Sequence, residues 1–170
     1  MNISIKKLIL LAFLPIVIIA ACKKQDIGPK SDIRPAVPVT VQNAIDYRPD
    51  PTVGVSKSAV VSPGIVGPIQ IILNIPAGIG RSITEITKVA AATSYTQIQS
   101  GGTTGFYNTA PIPGSGTSVT FNTTLTEYLA KAGGSIPAAN NELAKRFYFL
   151  VTLDDGTQIV TDPVRVLVFN

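Results

Sequence analysis

The stretch RFYFLVTLDDGTQIVTDPVRVLVFN, residues 146–170, decides the fold. In an extended chain, successive side chains point to opposite faces. Phe147, Phe149, Val151 and Leu153 therefore share one face, and Arg146, Tyr148, Leu150 and Thr152 share the other. Asp154-Asp155-Gly156 supplies a hairpin turn, because Gly accepts positive φ freely and Asp accepts it better than most residues. Thr157 to Val160 returns as a second strand. Asp162-Pro163 then interrupts the ladder, and Val164, Val166 and Val168 complete a terminal strand.

The chain upstream of this hairpin has the same texture. Val37, Val39 and Val41 alternate with Pro38, Thr40 and Gln42, a pattern that fits an edge strand tolerant of proline. Thr52 to Val61 is rich in β-branched residues and stops at Ser62-Pro63-Gly64. Ile69, Ile71, Leu73 and Ile75 form one face of a strand with Gln70 and Asn74 opposite, while Ile72 breaks the pattern. Ser82 to Ala91 is a strand with poorly sorted faces, and Ser94 to Gln99 is a short β candidate. Ser100 to Gly116 carries five Gly and two Pro and reads as a long loop. Val119 and Phe121 then alternate with Ser118, Thr120 and Asn122.

One helix is expected, near 124–132. Thr124-Leu125-Thr126-Glu127 has capping-box spacing, Leu125, Tyr128 and Leu129 cluster on one side, and Gly133-Gly134 ends it. About seven short strands with turn signals between them, plus one small helix, describe an all-β antiparallel sandwich. Its inward residues should include Ile71, Leu73, Val119, Phe121, Phe149 and Val151. The helix before a long penultimate strand, and the DG hairpin into a C-terminal strand, resemble the immunoglobulin-like sandwiches of bacterial lipoproteins. The tail is similar to the last two strands of SusE-type glycan-uptake accessory lipoproteins, over roughly residues 53–170. That resemblance is one of strand spacing and carries no functional residues with it. The disulfide and the Trp of antibody domains are both missing, since the chain has one Cys and no Trp.

That one cysteine is at the other end of the chain. Lys6 and Lys7 precede an apolar run, Leu8 to Ala21, interrupted only by Pro15. A helix needs ~20 apolar residues to span a bilayer, so this run has the length of a secretory signal core instead. It ends in Ile19-Ala20-Ala21-Cys22, which resembles the lipobox of bacterial lipoprotein signal peptides. The resemblance implies a diacylglyceryl group on the Cys22 thiol, cleavage just before it and acylation of the new amine. An ordinary cleaved signal would leave an unpaired thiol in an oxidising compartment, and an uncleaved anchor would have to work with a short span. A single acyl chain holds only marginally; three would anchor the protein for good. Lys23 after the lipidated residue leans toward outer-membrane sorting, again by resemblance. The expected organisation is a signal over 1–21, a lipidated Cys22 with a Pro-containing tether over 22–35, and a sandwich over 36–170. Residues 36–51 belong either to the tether or to the sandwich. Extended Pro-rich chain rises ~3.1 Å per residue, so the tether would hold the domain some ~40 Å from the bilayer.

Charge excludes one class of partner. The full chain has 14 Lys+Arg against 10 Asp+Glu. Without Lys6 and Lys7 the balance is 12 against 10, a net of +2, and the basic residues are scattered. Nucleic-acid binding calls for a clustered basic stripe. Catalytic chemistry is similarly short of parts. The chain has no His, and its one Cys is assigned to lipid, which removes the common nucleophile–base pairs and most zinc ligand sets. Asp154-Asp155 is accounted for by the turn, and alone it does not make a calcium loop. Gly101-Gly102-Thr103-Thr104-Gly105 lacks the Gly-Lys-Ser/Thr of a phosphate loop. No enzyme activity, metal or cofactor is expected.

Binding has one candidate. Phe106 and Tyr107 sit inside the long Gly-rich loop, where no strand obviously uses them. Either they are an exposed binding loop, as sandwich loops often are, or they fold back and plug one end of the core. The face of the last hairpin that carries Tyr148 and Leu150, beside Leu167 and Phe169, is a second apolar surface, which the Leu125–Ala139 region is expected to cover. The expected function is a non-catalytic, lipid-anchored accessory binding module near an outer-membrane transporter, with a protein or glycan partner. The alternative is a structural or assembly subunit, adhesion- or pilus-like, that docks a protein and takes no small ligand. Mass spectrometry of the protein purified from membranes should show an acylated N-terminal Cys22; a retained Met1–Ala21 segment or an unmodified thiol contradicts the lipoprotein reading.

Overall fold

In the computed structural model, which describes residues 35–170, the central pairing joins two long strands. β10 (Arg146–Leu153) runs antiparallel to β6 (Ile83–Ala92), with Phe149 opposite Val89 and Tyr148 opposite Ala90. Register shifts fall between Leu150 and Val151 and between Thr152 and Leu153. Each shift turns a side chain to the other face, so β6 shows no clean alternation in its sequence. The expected signal and Cys22, with the tether as far as Arg34, lie outside the described residues.

The other strands, in chain order, are β1 (Thr40–Val41), β2 (Thr52–Ser56), β3 (Val60–Ser62), β4 (Ile65–Val66), β5 (Pro68–Asn74), β7 (Ile112–Pro113), β8 (Ser118–Thr124), β9 (Asn141–Glu142), β11 (Gln158–Val160) and β12 (Arg165–Phe169). The fold is all-β, as expected, but the described residues form twelve strand segments rather than about seven. The difference comes from a break and from very short strands. The expected Thr52–Val61 strand is cut by a turn at Lys57–Ala59, and the two-residue strands β4, β7 and β9 fall in segments not read as strands. The break at Asp162-Pro163 between β11 and β12 is the expected one.

The segments assemble into two layers. One is β1-β5-β8. The other is β11-β10-β6-β7, extended by β12 and its neighbours β2 and β9. A bridge between Phe147 and Val164 joins β12 to that layer. The early part of the chain divides between the layers. β1 pairs antiparallel with β5, whereas β2 pairs in parallel with β12, Val53 opposite Val166. Residues 36–51 therefore belong to the domain, and Val41 is buried.

Aromatic rings fill the space between the layers. Phe121 of β8 lies 5.3 Å from Phe147 and 5.4 Å from Phe149 of β10, centroid to centroid. These spacings suit tilted and edge-to-face pairs. Ile71, Leu73, Val119, Phe121, Phe149 and Val151 are all buried, as their alternation predicts. The helix Leu125–Ala132 also forms where its cap predicts, with the Thr124 hydroxyl accepting from the Glu127 N–H at 3.0 Å. Ser94–Gln99, read as a strand, is instead a single helical turn over Thr96–Gln99. It pairs with no neighbouring strand, and the turn lets Ile98 pack onto the outer face of β6 and β10.

The strands give the domain two distinct ends. β5 ends, β6 begins and β10 ends at one pole, where Pro35 enters. The helix, the β3–β4 hairpin and the C-terminus of β12 lie at the other. The hairpin is held there by Gly67, whose N–H donates to the Ala59 carbonyl and whose carbonyl accepts from the Leu125 N–H, both at 2.8 Å. Gly67 has a φ of 66°, and a Cβ placed on it would lie 2.3 Å from the buried Leu125 side chain.

Two substitutions test this packing by denaturant unfolding. Phe149→Ala removes a ring from the interlayer cluster and should cost ~3–5 kcal/mol. Gly67→Ala meets both a left-handed backbone, at ~1–2 kcal/mol, and an overpacked Leu125, at ~1–3 kcal/mol. A loss near zero for either contradicts the assignment of that residue.

Candidate functional site

Tyr107 is a core residue. Its N–H donates to the Val89 carbonyl at 2.7 Å, which ties the loop to the free edge of β6. Asn108 continues the attachment, its Oδ1 accepting from the Val89 N–H at 2.7 Å and its Nδ2 donating to the Thr87 carbonyl at 3.2 Å. The backbone is thus directed inward, and the Tyr107 ring meets Phe121 at 5.8 Å and Phe147 at 5.3 Å. Only 5% of the residue is exposed. The reading of Tyr107 as part of an exposed binding loop is therefore corrected: the ring plugs the sandwich.

A closed circuit of polar contacts pins it there. The Thr123 hydroxyl donates to Glu127 Oε2 at 2.8 Å, so the Tyr107 hydroxyl must be the donor in its 2.7 Å contact with Thr123. Lys131 Nζ pairs with Glu127 Oε1 at 2.7 Å and donates to the Tyr107 carbonyl at 2.9 Å, closing the ring. The Lys131 ammonium holds the Glu127 carboxyl below its ordinary range, against a smaller opposing effect of burial. Burial, opposed by the bond to Thr123, pushes the Tyr107 phenol up to about 12.

Phe106 differs from its neighbour. It is half-buried, packs against the Ala90, Ile98, Tyr148 and Leu150 cluster, and carries the Lys88 ammonium 4.8 Å from its ring centre. That outer cluster shows what covers Tyr148 and Leu150. The cover is Ile98 and Phe106, with Tyr95 edge-on to Tyr148 at 4.8 Å, and not the Leu125–Ala139 region. The helix turns Leu125 and Tyr128 into the main core instead.

Besides Ile45 and Tyr47, which stand 58% and 52% exposed in the segment before β2, two surface features remain. The first is the β3–β4 hairpin, where Val60, Val61 and Ile65 are 67%, 56% and 39% exposed. Val61 overhangs a shallow depression floored by Gln70, Asn122 and Thr124 on the polar face of β5 and β8. The second is a groove of about 530 Å³ at the pole where Pro35 enters. Val37, Ile79, Leu153, Ile159 and Val160 give it apolar walls. At its rim Arg81 Nε pairs with Asp154 at 3.0 Å, and the guanidinium also contacts Asp155. Asp154 and Asp155 thus serve the turn and this ion pair.

Neither feature was singled out from sequence. Val60-Val61 reads as the end of a strand, and the groove combines residues more than a hundred positions apart. Among the described residues, no three His, Cys, Asp or Glu side chains gather where one metal ion could be held. Comparison with protein-family models, with curated proteins and with solved structures finds no match.

The Tyr107 phenol gives the site a measurable pH signature. Its folded value near 12 lies above the ordinary 10, so the protonated form is favoured by folding. The stability this contributes is fully present below pH ~10 and is lost as pH rises toward ~12. Alkaline unfolding followed by circular dichroism should accordingly begin in that window, and Tyr107→Phe should remove that component. Phe106→Ala should lower the melting temperature less than Tyr107→Ala; the reverse order contradicts the plug.

Proposed function

We propose that the chain is a non-catalytic, lipid-anchored cell-envelope protein, an immunoglobulin-like sandwich that docks on a larger envelope protein through its β3–β4 hairpin. The signal-like run ending at Cys22 supports the anchor. The division of the first strands between two layers, with β2 parallel to β12, supports the immunoglobulin-like topology. The observation that carries the docking reading is the hairpin itself: three aliphatic residues in seven positions stand in solvent at the pole opposite Pro35. Contiguous exposed aliphatics mark an interaction surface. Their location presents them on the far side of the domain from the point where the anchored segment joins.

The partner that suits such a surface is a protein with an apolar recess, and an outer-membrane transporter is the partner that the accessory role implies. A glycan would have to stack on rings other than Tyr107, which is withdrawn into the core, such as Tyr47 or Tyr95. Photo-crosslinking from position 61 in intact cells should join the protein to one envelope protein of defined mass. Val60→Asp with Ile65→Asp should abolish that product while leaving the melting temperature near its original value. The absence of a defined product in the unsubstituted protein, a product that survives the two substitutions, or release of the protein from membranes with Cys22 intact overturns the proposal.

A further inference from the structure

β11 ends its sheet, so one side of it has no strand neighbour among the described residues. Two hydrogen bonds settle which of its residues face that side. The Leu153 N–H donates to the Thr157 carbonyl at 2.9 Å, and the Thr161 N–H donates to the Phe149 carbonyl at 3.0 Å. With Val151 opposite Ile159, residues 157, 159 and 161 direct their backbone groups toward β10. In an antiparallel ladder the intervening residues point the other way. Gln158 and Val160 therefore present an N–H and a carbonyl each, outward, and both residues line the 530 Å³ apolar groove.

An open hydrogen-bonding edge beside an apolar trough is the combination that accepts an added strand. The edges of β7 and β8 each lack one of the two parts. β7 ends in Pro113, which has no N–H to offer. β8 has a depression beside it, but Gln70, Asn122 and Thr124 floor it on the polar face of the sheet. We propose that the β11 edge binds an extended segment of another protein by strand addition, with uncharged aliphatic side chains at alternate positions. The walls set that preference, since Val37, Ile79, Leu153 and Ile159 are apolar and Arg81 is already neutralised by Asp154 and Asp155. The chain's own Lys23–Arg34 sequence does not match it, with six charged residues in twelve. This site is separate from the hairpin, at the opposite pole, and either can fail without the other.

The test uses the full chain, ¹⁵N-labelled, in detergent, with the pentapeptide acetyl-Thr-Val-Thr-Val-Thr-amide as probe. Amide exchange at Gln158 and Val160 should slow about tenfold at saturating peptide, as newly formed hydrogen bonds protect them. The Ile159 amide, already in the ladder, should change little. The same peptide N-methylated at both valines should give no protection. Gln158→Pro deletes only an outward N–H, so the melting temperature should hold while protection at Val160 is lost. Protection by the N-methylated peptide, or none by the parent peptide, overturns the proposal. So does protection at these amides without peptide that vanishes on dilution or on deletion of residues 23–34, because a second copy or the tether then occupies the edge.

Discussion

The contact between Phe121 and the Phe147–Phe149 pair is the constraint on which the rest of the molecule depends. The chain's one cysteine is Cys22, so no disulfide can join the two layers within the domain. Cohesion across the interior has to come from burial, and the largest share of buried apolar area per residue comes from rings. Tyr107 completes this cluster from a loop rather than a strand, which makes the loop part of the core. The hydrogen-bonded circuit through Thr123, Glu127 and Lys131 then couples the loop to the helix. A ring with no strand of its own to serve is the piece that joins three separate elements.

Much of this architecture was legible in the sequence where one physical pattern acted alone. β5 and β8 have one buried face and one solvated face, so their alternation is clean and their inward residues are correctly read. The helix is marked by its own cap. Legibility fails where two patterns compete. β6 carries the extra residues of both bulges against β10, so period two is blurred in it, while β10 itself alternates as read. Ser94–Gln99 has strand-like residues but no strand partner, and tertiary packing of Ile98 decided its conformation. The role of Tyr107 was ambiguous for a related reason: glycines on either side permit both an exposed and an inward path, and only the bonds to Val89 select one. The hairpin and the β11 groove depend on what lies opposite them in space, information that no local window contains.

The surface distributes its features by pole. Where Pro35 enters, there is a groove, an ion pair and an open strand edge. At the far end stand exposed aliphatics on a hairpin held by Gly67. Between them the outer face of β5 and β8 carries Gln70, Ile72, Asn74, Ser118, Thr120, Asn122 and Thr124 without a single charge. The opposite outer face is closed by Ile98, Phe106 and Tyr95. A domain built this way has two ends suited to contact and two broad faces that are neutral or covered, with Ile45, Tyr47 and Phe169 exposed beside β2.

The parallel pairing of β2 with β12 has a mechanical consequence. The two strands run in the same direction, so the N-terminal end of β2 and the C-terminal end of β12 lie at opposite ends of their shared ladder. Tension drawn between the start of the domain and its last residues is therefore carried in shear. The hydrogen bonds from Thr52–Arg165 to Ser56–Phe169 must yield together rather than one at a time. An antiparallel hairpin pulled from its open end would instead unzip. The seam that closes the domain is thus oriented to withstand traction along the strand axis.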